Sequence, residues 1–555
     1  ASPTRRRVRL VPASRKLGWL TLTGEGLVVL AGVVILVGWP FGRLLWEAFS
    51  TPGAWSHLWS QSELTSAIRG TVVTSLGATL FALIVGGGAA IAFWRLRVPG
   101  QKLLTGALLL PILVPPFICA LSITQTYTAA GLTDHLAGLH YEWIFGSVGT
   151  TIVLGVQQVP IAFLIIAAAT HSRGNADLER AARASGAKAL TSFRTVTFPL
   201  LRPAILAAAA LCFIAAASDF GVPAVLAIPA RYSTITTEIY RAMAFSSNGL
   251  SDPITLSALL IVVALVVLGA AARFNRATVM GARATSQAVV RRRGWHFGVS
   301  AILGLYVLLV SIFPLFGLAS VALTKVYGES PVPSHWSFTN LHAALTGATA
   351  SAFGRSFFLA VCAATVLAVA AVFAGRLGLR RGGRAVTAVI TIPYAVPGSA
   401  VAVAILLTFG KWWYGSLLII AVAYLSRFWA LAQQPIAAAL GQVNPEPARA
   451  ARASGASALR AWWVSTWPAI RPSIFAGWLL VFLSCLHELT VSVLLYVPGK
   501  ETIGVVVLNA EQQGDPSGTS AIALILTIVV FLCALPIIAS RRLRSVLGFS
   551  AGGAL

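Results

Sequence analysis

Few residues of this 555-residue chain are placed to do chemistry, and two of those stand in apolar surroundings. Asp219, in AASDFGVPAVL, and Glu488, in CLHELTVSVLL, are carboxylates 269 positions apart within hydrophobic runs. A charge at membrane depth is expensive to hold, so it marks either a solute pathway or an anion bonded to a neighbouring helix. Arg427, in YLSRFWALAQQP, is a cation well inside another such run, and Gln158 of VQQVPIAF lies 269 residues before it. His487 adjoins Glu488. Asp219, Glu488, Arg427, Gln158 and His487 can line a hydrated translocation pathway, but they are too sparse and too mixed in sign to form a tight site. Two opposed carboxylates suit a hard cation taken up through oxygen, and an organic cation equally well. Tyr394 and Tyr424 are weaker candidates, because tyrosine also favours membrane interfaces.

No catalytic residue emerges. The chain has no GxxxxGK[ST] loop to cradle nucleotide phosphates, and GRLGLRRGGR (Gly375–Arg384) reads as a basic loop. Cys119, Cys212, Cys362, Cys485 and Cys533 fall in apolar runs without paired spacing, which argues against both a disulfide framework and a zinc site. No metal site is firmly assigned.

The elements that must position the polar residues are membrane helices. The chain is 57% hydrophobic and 10% charged, whereas a soluble domain carries about 25% charged residues. Apolar runs near the roughly 20 residues needed to cross a bilayer recur throughout. Helices are expected near 26–48, 71–94, 103–124, 147–170, 203–227 and 253–274, and again near 297–323, 356–377, 385–409, 415–435, 472–496 and 519–540. The fold class is an all-α polytopic membrane protein with about twelve spans. Lys and Arg test the topology: 32 fall on one side of this threading, 7 on the other and 2 within spans. By the positive-inside rule the richer side, with both termini, is cytoplasmic. The net charge of +25 then reflects orientation, and no nucleic-acid partner is expected. The expected divisions are a cytoplasmic N-terminal tail (1–25), a first six-helix half (26–274), a basic cytoplasmic linker (275–296), a second half (297–540) and a cytoplasmic C-terminal tail (541–555). The Arg-rich N-terminus precedes a run too long for a signal peptide, so it reads as a retained first span.

RAARASGA occurs at Arg180–Ala187 and again at Arg449–Ala456, offset by the same 269 residues. TVTFPLLRPAI (Thr195–Ile205) matches VSTWPAIRPSI (Val464–Ile474) in kind, and LPILVPP (Leu110–Pro116) answers to IPYAVPG (Ile392–Gly398). Six spans per half make this a parallel repeat about an axis along the membrane normal. Each octapeptide should form a short helix on the cytoplasmic membrane surface, with Asp177 and Glu179 favouring the start of the first. Gly186 and Gly455 mark a helix end or a close approach. Pro199 and Pro468 are expected to stop the polar segment, and Pro203 and Pro472 to open the next span. The proline pairs of LPILVPP and IPYAVPG are placed to kink two helices at a cavity. Two matching loops suit two equal surfaces of a symmetric partner.

At these residues the chain resembles the permease subunits of binding-protein-dependent ABC importers. Their cytoplasmic loop carries Glu-Ala-Ala, three residues, Gly, and later a hydrophobic-x-hydrophobic-Pro. Arg180-Ala181-Ala182 with Gly186 and Pro199 matches it, as does Arg449-Ala450-Ala451 with Gly455 and Pro468, with Arg replacing Glu in both copies. Glu179 lies one position early and Glu446 three early, so neither is a clean substitute.

The resemblance implies the type I importer permease fold in a bacterial inner membrane, working by alternating access. It implies coupling helices seated on a cytoplasmic homodimer of ATP-binding subunits, which hold the ATP and Mg. It also implies an extracytoplasmic solute-binding protein and a lipid surround, with no cofactor in this chain. Two halves in one chain resemble the ferric-iron permeases, and also thiamine and some phosphonate ones. Ser218–Met243 and His487–Asn509 look most like the ferric-iron branch. Thiamine, a phosphonate or a polyamine remain alternative cargoes. An ion-coupled secondary transporter would need ion sites within the spans and leaves the duplicated loop without a purpose. Loop 125–146, with Asp134, His135, His140 and Glu142, is a candidate docking surface or plain solvated loop.

The orientation is open to a direct test. A single cysteine placed beside either octapeptide should react with a membrane-impermeant thiol reagent from the cytoplasmic side; reaction solely from outside would reverse the topology.

Overall fold

A computed structural model describes residues 24–540 apart from 97, 174–175, 246–248, 276–294, 327 and 380–382. The expected tails and linker therefore lie outside the described residues, save at their edges. In hydrocarbon each backbone N–H and C=O needs a partner within its own segment, so apolar runs of this length become helices. Among the described residues ten helices are long and apolar enough to span, and two bent pairs bring the number to twelve. One isolated bridge, Thr324–Trp336, stands outside this helical scheme.

The first half runs α1 (Gly26–Ser50), α2 (Ser62–Arg95), the bent pair α3 (Gln101–Ile112) and α4 (Pro116–Ala137), and α5 (Ser147–Thr170). The short α6 (Ala176–Ala184) follows, then α7 (Leu190–Ser218), α8 (Gly221–Leu226), α9 (Ile235–Phe245) and α10 (Ser251–Ala271). The second half repeats this order: α11 (His296–Leu323), α12 (Gly347–Gly378), the bent pair α13 (Ala385–Ala395) and α14 (Gly398–Trp413), and α15 (Leu417–Gln442). It ends with α16 (Glu446–Ala453), α17 (Ala458–Leu486), α18 (Thr490–Leu495), α19 (Ile503–Gln512) and α20 (Pro516–Pro536). Each half is built on a triangle of packed spans, α2 with α5 and α7, and α12 with α15 and α17.

The prolines behave differently from expectation. Pro199 and Pro468 do not stop their helices; α7 and α17 start well before the expected 203 and 472, and run through both prolines without a break. A five-residue π-turn precedes each, at Phe193–Thr197 and Trp462–Thr466. The same device precedes Pro40 and Pro314, at Val34–Gly38 and Leu308–Ile312. In all four cases the residue before proline donates its N–H five residues back, to Val34, Phe193, Leu308 or Trp462. Proline removes a donor and its ring collides with the carbonyl four residues earlier; the wider turn shifts the bonding frame and lets the helix continue.

The halves hold each other through their first spans. Helix α1 packs on α12, α14 and α15 of the second half, where the Ser426 hydroxyl donates to the Leu36 carbonyl at 2.7 Å and Trp39 meets Phe409 edge-on at 5.5 Å. Helix α11 packs on α4 of the first, where the Tyr127 hydroxyl donates to the Leu309 carbonyl at 2.6 Å. Gly317 makes that second contact possible, since a Cβ there would fall 2.0 Å from Thr126 Oγ1 and 2.9 Å from Thr126 Cβ.

Gly317→Val should accordingly cost about 1–3 kcal/mol through overpacking, read as a lowered thermal midpoint in detergent. Gly304→Val, in the same helix but with nothing within 4 Å of its Cβ, should stay within about 0.5 kcal/mol of the parent.

Candidate functional site

Helices α6 and α16 carry the two octapeptides, and both end in the same bond pattern. Gly186 and Gly455 have φ of +86° and +88°, the left-handed conformation that glycine adopts without strain. The Gly186 N–H donates to the Arg183 carbonyl and the Ala187 N–H to the Ala182 carbonyl, each at 3.0 Å. Gly455 to Arg452 and Ala456 to Ala451 repeat these bonds at 3.0 Å. This is a Schellman cap, which satisfies orphan carbonyls at the helix end and turns the chain sharply. Of the two readings of these glycines, helix end and close approach, the first is the observed one: a Cβ on either glycine would meet nothing within 4 Å.

Arg180 and Arg449, which stand where the family loop has glutamate, point outward, with side chains 64% and 71% exposed. Each pairs with the acid three residues earlier: Arg180 with Asp177 at 3.2 Å, Arg449 with Glu446 at 2.7 Å. Glu446 is thus the counterpart of Asp177, and Glu179 has Ala448 as its counterpart. Glu179 is buried, 3% exposed, and its carboxylate accepts from the Arg95 guanidinium and the Thr197 hydroxyl. Sequence reasoning gave Glu179 no role beyond starting a helix. A carboxylate among arginines on a short polar helix reads as solvated, and nothing local reveals that Arg95, 84 residues away, comes to meet it.

The second feature is a cavity of about 440 Å³ between the halves. Asp219, Glu488, Arg427, Gln158 and His487 all line it, with Tyr394 and the polar Gln157, Ser218, Ser484 and Thr490, which sequence reasoning missed. The proline breaks reach it as well: α3 and α4 are bent by 104°, α13 and α14 by 107°, and Pro116 and Val396 lie in the wall.

The two carboxylates do not sit within helices as expected. Helices α7 and α17 end at Ser218 and Leu486, short of the expected 227 and 496, and Asp219 and Glu488 occupy the gaps before α8 and α18. Asp219 Oδ1 accepts the Val222 N–H at 2.8 Å and Glu488 Oε1 the Val491 N–H at 3.0 Å. The physical reason is the need of each new helix for acceptors at its unpaired first N–H groups. Arg427 Nε lies 4.0 Å from Glu488 Oε2, and its guanidinium rests against Gly398, where a Cβ would fall 1.6 Å from Nη1. Tyr424 is buried away from the lining, bonded to the Ser492 hydroxyl at 2.7 Å. In the candidate docking loop Asp134 and His140 meet at 3.0 Å, His135 follows Asp134 in one helical turn, and Glu142 opens a separate 3-10 turn. Among the described residues no three His, Cys, Asp or Glu side chains are grouped to hold a metal ion.

The family described as binding-protein-dependent transport system inner membrane component matches residues 78–276 and again 364–543, once in each half. The chain belongs to this family. The permease is 24% identical over 468 residues to the ferric transport system permease protein FbpB of Actinobacillus pleuropneumoniae, covering 80% of this chain and 66%, just under two thirds, of that protein. It is 23% identical over 522 residues to the Fe(3+)-transport system permease protein FbpB 2 of Haemophilus influenzae, covering 92% and 96%. A probable molybdenum ABC transporter permease protein of Haloferax volcanii is 30% identical over 261 residues, covering 46% of this chain and 89% of that one. The permease is therefore an all-α inner-membrane component of the ABC importer class.

The capping role of the carboxylates can be measured. Asp219→Ala and Glu488→Ala should each cost about 0.5–2 kcal/mol of thermal stability in detergent, whereas Asp219→Asn and Glu488→Gln, which keep an acceptor oxygen, should lose markedly less.

Proposed function

We propose that this permease imports ferric iron, handed over by an extracytoplasmic binding protein, by alternating access driven by a cytoplasmic homodimer of ATP-binding subunits that grips α6 and α16. The observation that carries the reading is the identical capping of two short helices 269 residues apart, each feeding a span that ends at a cavity carboxylate. Closure of the ATPase dimer pushes both helices. Motion passes along α7 and α17 to Asp219 and Glu488, and the halves rock about the cavity. With Arg427 the two carboxylates leave one negative charge in excess, which favours a cation, and oxygen ligands suit a hard one. The two relatives named for ferric iron, one matching 92% of the chain, support iron as cargo, and the molybdenum-named relative makes molybdate the control solute.

Purified in mild detergent, the permease should bring with it two ATP-binding subunits per chain, and reconstituted vesicles should import radiolabelled ferric iron rather than molybdate or thiamine. Uptake driven by an ion gradient with no ATPase present would sink the reading. Gly455→Trp should abolish both ATPase association and uptake while leaving membrane insertion intact. The Asp219→Asn, Glu488→Gln double variant should keep the complex but reduce iron uptake roughly tenfold, the effect of about 1.4 kcal/mol.

A further inference from the structure

The two coupling helices have the same shape but not the same attachment. On α6, Glu179 joins three elements at one buried carboxylate. Arg95, the last residue of α2, donates to it, and so does Thr197, the last residue of the π-turn inside α7. Arg95 Nη2 also bonds Thr197 Oγ1 at 3.0 Å, and its guanidinium lies 5.0 Å from the Phe193 ring centroid. Arg183 approaches the second carboxylate oxygen at 4.0 Å.

On α16 the equivalent of Glu179 is Ala448, while Thr466 still stands for Thr197 and Trp462 replaces Phe193. No residue of α16 is buried, and its Glu446 is spent on the exposed pair with Arg449. Below it Trp462, Trp463 and Trp467 pack on one another with centroids 4.9–5.7 Å apart. Aromatic packing is adaptable in register, whereas a buried carboxylate shared by a guanidinium and a hydroxyl has one geometry in which all three are satisfied.

We infer that Glu179 and Arg95 are positioning residues that lock α6 to α2 and α7, so that a push on the first coupling helix moves two spans as one body, while the second coupling helix transmits to its spans by looser packing. This rests on the coupling role proposed above. The link leads to the cavity along one continuous helix, because α7 carries Thr197 and ends at Ser218, directly before Asp219. Its consequence is an unequal response of the two cavity walls, Ser218 on the first half and Ser484 on the second.

The test uses the full complex in vesicles, with Ser218→Cys or Ser484→Cys in a background lacking the native cysteines, and follows how ATP binding alters the rate of reaction with a water-soluble thiol reagent. In E179Q the ATP-dependent change at position 218 should shrink roughly tenfold, a typical size for coupling between sites. The change at 484 should persist, and ATPase association should be unaffected. E179D should restore the response, and E446Q should alter neither position. Because E179Q leaves the part-buried Arg95 without its carboxylate, the apolar double variant R95L/E179L, which leaves no unpaired charge, is the folding control. Recovery of yield with the response at 218 still lost supports the link. Recovery of both, or an unchanged response in E179Q, overturns it. A parent complex in which ATP alters neither position removes the coupling role itself, and this inference with it.

Discussion

Hydrocarbon cannot hydrogen-bond a peptide group, and the architecture follows from that constraint. A helix may break at membrane depth only where protein or water supplies partners for the freed N–H and C=O groups. The four breaks that α3–α4, α13–α14, α7–α8 and α17–α18 contain all come to one cavity. At two of them a carboxylate accepts the N–H of the second residue of the following helix, Val222 or Val491. Asp219 and Glu488 are thus held in place by the same backbone groups that make their location tolerable. Elsewhere four prolines, Pro40, Pro199, Pro314 and Pro468, follow π-turns that let their helices continue.

The twofold plan gives each half a core of three packed spans and then crosses the halves over, since α1 packs on the second half and α11 on the first. The two halves consequently share their outer spans, and the cavity lies between their cores. The tight Gly317–Thr126 approach and the Ser426–Leu36 bond secure the crossings through residues that do not themselves line the cavity.

Carrying both halves in one chain lets equivalent positions diverge. Gln158 answers to Arg427, Asp219 to Glu488 and Glu179 to Ala448. The first difference gives the cavity a single cation against two carboxylates; the last gives the two octapeptide helices unlike anchorage. In a dimer of identical subunits each such change would appear on both sides. The shared elements show what both halves require: the Schellman cap, the π-turn before proline and the bent pair are kept in each.

Composition and apolar run length determined by themselves that the chain is an all-α polytopic membrane protein of ten to twelve candidate spans, and the internal repeat that it has two halves, because those properties sum over many residues and survive errors at any one. The repeated octapeptide picked out the two short helices, and the 269-residue offset picked out Asp219, Glu488, Gln158 and Arg427 of the cavity lining, with His487 noted only as the neighbour of Glu488. Where helices stop was not legible: Pro199 and Pro468 read as terminators until the π-turns showed the bonding frame shifted, and Asp219 and Glu488 read as helical until the breaks placed them as caps. The Glu179–Arg95 pair lay further out of reach. Local patterns report the solvent a residue faces on its own helix, whereas a contact between residues 84 apart depends on how separate spans pack, and that is decided by the tertiary structure alone.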